Sequence, residues 1–125
     1  MQRLIFVAVA FCALSFAGQT EAQVLTLTGP CPGVKTIQVT GATPVVRVYF
    51  IHAANIGAWV VPPGQLCSGT FTGLAAPVTV AGFLPSDAFG NITTTATIPP
   101  AVCGNRYLQV VDGATCTTSN VVLIN

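Results

Sequence analysis

VTVAGFLPSDAFGNITTTATI, residues 78–98, decides how this chain folds. Val78 and Val80 share one parity at its start, and Ile92, Thr94, Ala96 and Ile98 share one at its end. The opposite positions of the second run are Thr93, Thr95 and Thr97. Alternation with a period of two sends apolar groups to a core and hydroxyls to water, so both runs are predicted strands. Between them, Pro85-Ser86-Asp87-Ala88-Phe89-Gly90-Asn91 is turn chemistry. Proline presets φ, Asp87 can bond nearby backbone, and Gly90 or Asn91 takes a positive φ cheaply. The expectation is a β-hairpin.

The same period runs outward in both directions. Residues 24–28 alternate leucine with threonine, and residues 35–40 put Ile37 and Val39 inward and Thr36, Gln38 and Thr40 outward. Residues 45–53 are apolar on both faces, which marks a central strand or one whose outer face is covered. Residues 57–61, carrying Trp59, read as a further short strand. Residues 106–112 follow with Leu108 and Val110 inward, and residues 120–124 close the series. About seven to eight short strands with frequent turn signals and no helical period predict an all-β chain, an antiparallel β-sandwich.

The N-terminus reads as an address. Arg3, the apolar run 4–16 and the small residues after it have the pattern of a secretory signal, with cleavage after Ala22 favoured over Ala17. The run is too short to span a bilayer, so no membrane span is expected in the mature chain. Residues 23–125 are then expected to form one β-sandwich domain. The expected mature chain carries Lys35, Arg47 and Arg106 against Asp87 and Asp112. In the full sequence 6 % of residues are charged, against about 25 % in ordinary soluble domains. No basic patch exists for nucleic acid. A surface so poor in charge resists self-association weakly, and the terminal strands lack the lysines that blunt sheet edges. A homo-oligomer, or packing against other cell-surface proteins, is expected. The competing reading pairs each edge inside the domain.

Cys31, Cys67, Cys103 and Cys116 follow the leader, an even count that predicts two disulfides in a secreted protein. Three pairings are open; a local clip Cys103–Cys116 with Cys31–Cys67 needs the least chain. No C-x-x-C spacing suggests zinc, and two isolated aspartates are a poor start for calcium, so no metal or cofactor is expected. His52 continues the inward row of Val46, Val48 and Phe50 with no nucleophile or carboxylate motif beside it, so no catalytic residue is assigned. Asp87 and Asp112 sit in turn contexts. Asn91-Ile92-Thr93 matches a glycosylation sequon. Trp59 and Tyr49 are candidates for a glycan-stacking platform. Thr93, Thr95 and Thr97, with Thr36 and Thr40, are candidates for a flat recognition face.

Ser86-Asp87-Ala88-Phe89-Gly90-Asn91 followed by TTTATIP resembles the mid-domain hairpin of immunoglobulin-like extracellular modules of bacteria. From Cys31-Pro32-Gly33 through VTGATP to LQVVDGATCTTSNVV the chain is similar to cysteine-containing modules of bacterial cell-surface proteins. The resemblance implies an immunoglobulin-like sandwich outside the cytoplasm, in a structural or adhesive setting, with no activity to carry over. A chain with its own leader and no appended domain is expected to be an independent subunit. The function expected is a secreted structural protein of the cell surface, or alternatively an adhesin or carbohydrate-binding module.

Overall fold

Burial alternates along most of the strands that the sequence marks in the computed structural model, which describes residues 22–125. The leader reading therefore lies outside the described residues, apart from Ala22. Seven strands form: β1 (Val24–Thr28), β2 (Gly33–Thr40), β3 (Arg47–Ala53), β4 (Thr79–Pro85), β5 (Ile92–Ile98), β6 (Tyr107–Asp112) and β7 (Val122–Leu123). They build two antiparallel sheets, β1-β2-β5 and β4-β3-β6-β7. Leu25, Ile37, Val39 and Ile92 of the first sheet meet Val48, Phe50, Leu108 and Val110 of the second in one buried cluster. Lys35 shares the inward parity of Ile37 and is buried, its Nζ donating to the Gly29 carbonyl at 2.6 Å.

The expected hairpin is not one. β4 and β5 lie in different sheets, so residues 86–91 cross between them. The crossing pairs with the earlier crossing at residues 41–46, and that fixes it. Ser86 N–H donates to the Val46 carbonyl at 2.9 Å, and Ser86 Oγ donates to the Thr43 carbonyl at 2.6 Å. Val45 N–H donates to the Asp87 carbonyl, and Ala42 N–H to that of Gly90, both at 3.1 Å. Two connections side by side satisfy backbone groups that a lone turn would leave to water. Asp87 acts as a turn residue: its Oδ1 accepts from Phe89 N–H and Asn91 N–H, each at 2.8 Å.

Gly90 is the steric keystone of that pair. Its φ is +80°, and a methyl group there would fall onto the Ala42 carbonyl oxygen. Gly90→Ala is expected to lower stability by about 2 kcal/mol through backbone strain and displacement of the neighbouring crossing. Urea denaturation of the variant beside the parent protein checks this.

β3 is central, between β4 and β6, as a strand apolar on both faces should be. Its outer face is covered by the chain itself. Residues 54–78 run across it as a strap, and Leu74 packs with Ile51, Ala53 and Val111, flanked by Tyr49, Val78 and Val121. The expected strand at 57–61 lies in this strap and forms only the single bridge of Val60 with Phe71, next to a second one from Ile56 to Leu74. Val80, placed in the core by its parity with Val78, is 53 % exposed. The register slips opposite Phe50 and Ile51, a bulge that reverses the alternation.

Two disulfides are present, but their pairing is Cys31–Cys103 and Cys67–Cys116, not the local one expected. Cys103 and Cys116 flank β6, whose six residues span about 20 Å, beyond the reach of a disulfide. Gly33 pairs with Ile98 across β2 and β5, which carries the 99–105 link to Cys31. Cys67, in the strap, meets Cys116 at the turn after β6, with Cα atoms 5.3 Å apart.

Candidate functional site

β4 ends one sheet and β5 ends the other, and both line the same opening in the flank of the molecule. Thr79–Pro85 and Ile92–Ile98 contain no charged residue, and each has hydrogen-bonded strand neighbours on one side only. An uncharged edge of this kind is a template for pairing with another chain. The outer rim of β4 adds apolar area: Val80 and Phe83 are largely exposed, and Leu66 of the strap lies beside Val80.

Between these edges the sheets leave a groove of about 450 Å³. Its walls include Ile37, Phe50, Leu84, Ala96, Ile98 and Leu108. Polar chemistry enters with Arg106, immediately before β6, and His52, on the neighbouring strand β3. Arg106 Nε donates to His52 Nδ1 at 2.8 Å, which leaves the imidazole proton on Nε2. Burial, and then the Arg106 charge, pushes the His52 pKa down, so the pair carries a single positive charge at neutral pH. His52 does continue the row of Phe50, as its parity implies, but its partner is a cation and no nucleophile accompanies it.

The described carboxylates are both engaged elsewhere. Asp87 holds its own turn, and Asp112 accepts from Thr43, Ala114 and Thr115 N–H groups. Among the described residues no three His, Cys, Asp or Glu side chains come together as metal ligands. No described helix is long and apolar enough to cross a membrane.

Tyr49 and Trp59 are brought together on the other face of the second sheet, where they line a depression of about 130 Å³ with Leu66 and Val80. Trp59 is half-buried and its backbone is clamped: its N–H donates to Leu74 at 2.7 Å, and its carbonyl accepts from Thr72 N–H at 2.9 Å. Tyr49 turns its ring toward Phe83, with centroids 5.5 Å apart, and the Arg47 guanidinium lies 4.6 Å from the Phe83 ring centre.

Thr93, Thr95 and Thr97 are exposed on the outside of the first sheet, opposite Gln38, Thr36 and Val34. With Lys35 turned inward, this face has no charge on β2 or β5. Asn91, the sequon residue, is half-buried in the second crossing.

The edge of β1, which the sequence left either open or paired inside the domain, is met at Leu25 by the chain itself. Asn120 Oδ1 accepts from Leu25 N–H at 2.8 Å and its Nδ2 donates to the Leu25 carbonyl at 3.0 Å, a side chain imitating a strand along β1. Sequence reasoning missed the groove and the Arg106–His52 pair. The one available signal was the inward parity of His52, which placed it beside Phe50 without naming its partner.

No protein-family model matches this chain, and no curated protein and no solved structure shows significant similarity to it.

Proposed function

We propose that this chain is a secreted, non-enzymatic structural protein of the bacterial cell surface that associates with copies of itself through sheet edges and apolar faces. One observation carries the reading: two edges without a charged residue, β4 and β5, stand on the same flank, so copies meeting there extend both sheets. Exposed Val80, Phe83, Leu66 and Phe71 supply apolar area around that flank and on the strap. The two disulfides suit an oxidising compartment outside the cytoplasm. The strand order supports an immunoglobulin-like class, since β1-β2-β5 facing β4-β3-β6-β7 is that sandwich with one strand moved between sheets.

Size-exclusion chromatography with light scattering, followed by negative-stain microscopy, tests this on the mature protein. Large oligomers or filaments are the expected result, and the double variant Val80→Lys, Thr95→Lys is expected to run as a monomer because it charges both edges. Parent protein that stays monomeric at high concentration refutes the proposal.

A second reading, an extracellular adhesin or carbohydrate-binding module, is favoured by the shared depression of Tyr49 and Trp59. The depression is small, and the Tyr49 ring is already engaged with Phe83, which leaves the first reading ahead.

A further inference from the structure

Arg106 is half-buried, and among the described residues no carboxylate pairs with its guanidinium. Of the two described aspartates, Asp112 ends β6, at the far end of the strand from Arg106, and Asp87 closes the turn after β4. The Arg106 contact that the structure does show is to a neutral acceptor, His52 Nδ1. Using Nε on His52 leaves the two terminal NH₂ groups free to bind a carboxylate with two hydrogen bonds. The same side chain lines the apolar groove, beside Ile98, Pro99 and Val102.

The geometry points to a binding site for a single-chain fatty acid, its carboxylate on Arg106 and its acyl chain along the groove between β4 and β5. Thr94 and Ile98, four residues apart on β5, both line the groove, a stretch of about 13 Å. A volume of about 450 Å³ lies at the small end of ligand pockets, suited to one acyl chain rather than a two-chain lipid. The buried walls Ile37, Phe50, Leu108 and Ile124 belong to the main core, so the acyl chain would extend that core outward. The groove opens between the same two edges, so a copy paired there covers its mouth, and the binding test is read on unassociated chains. Edge pairing uses backbone groups that face away from the domain, whereas the ligand uses side chains that face the space between the sheets.

Calorimetric titration of the mature protein with dodecanoate, below its micelle concentration, tests the site. One dodecanoate should bind per chain, about tenfold or more tighter than dodecyltrimethylammonium, which has the same tail and the opposite head charge. Arg106→Gln should remove that preference, and Ala96→Phe should abolish binding by filling the groove. The head-group comparison on the parent protein stands even if either variant unfolds. Equal affinity for the two amphiphiles, no binding of dodecanoate, or binding only to phosphatidylglycerol vesicles would each overturn the assignment. An extended apolar peptide that binds the groove while dodecanoate does not would give it to a strand instead, and would equally overturn it.

Discussion

Asp112→Ala is expected to lower the free energy of unfolding by about 4 kcal/mol, a large share of what a domain of this size has. Asp112 is 1 % exposed at the end of β6. Its Oδ2 accepts from Thr43 N–H at 2.7 Å, and its Oδ1 from Ala114 N–H at 2.8 Å and Thr115 N–H at 3.1 Å. One carboxylate therefore joins the first crossing between the sheets to the turn after β6. Truncation leaves three backbone donors without that acceptor, each costing about 1–3 kcal/mol where water cannot replace it. Asp112→Asn should cost roughly half as much. Its oxygen can still cap the turn, but its NH₂ would face the Thr43 N–H, donor against donor.

The same residue predicts an acid limb. Burial raises the Asp112 pKa, the hydrogen bonds from Thr43, Ala114 and Thr115 lower it, and the net shift is downward. With the folded value below the unfolded one, its contribution to stability is whole above the ordinary carboxylate range. It is lost as the pH falls below about 4 toward the folded pKa. Urea midpoints measured between neutral pH and about pH 2 should fall in the parent protein and fall less in Asp112→Asn.

How far the sequence could be read depends on the range of the forces involved. The inward row Ile92, Thr94, Ala96 and Ile98 and the outward Thr93, Thr95 and Thr97 were legible because pleating is local. So was the demand of residues 45–53 for cover on two faces. Which strand pairs with which was not legible from the turn at Pro85–Asn91. Proline, Asp87 and Gly90 reverse the chain whether the next strand joins the same sheet or the opposite one. The contacts that decide it come from Thr43, Val45 and Val46, some forty residues upstream. Alternation likewise could not foresee the bulge that exposes Val80. The groove is harder still, because it exists only where two sheets stop. Arg106 and His52 meet across 54 residues of sequence. Cysteine spacing misled for a related reason: thirteen residues look local until a strand is drawn between Cys103 and Cys116.

The strap gives the second large effect. Replacing Cys67 and Cys116 together by serine is expected to cost about 4 kcal/mol, from releasing a closure of 49 residues in the loop-entropy account. Replacing Cys31 and Cys103 should cost a similar amount for a separation of 72, but its structural consequence differs. Cys31–Cys103 ties the start of β2 to the link before β6, beside the main core. Cys67–Cys116 holds down a segment whose own regular structure consists of single bridges, and which covers Ile51, Ala53 and Val111 with Leu74. Without it, residues 54–78 must pay their ordering entropy from that small outer cluster alone. Trp59, the one tryptophan of the chain, lies in this strap and reports on it directly. In the Cys67/Cys116 variant its fluorescence transition in urea should fall below the far-ultraviolet circular dichroism transition, with lost exchange protection at Gly57, Trp59, Thr72 and Ala75. In the Cys31/Cys103 variant the two transitions should stay together. Coincident transitions in both would mean that the outer cluster and the main core unfold as one unit, and that the second disulfide only adds to a cover already held by Leu74.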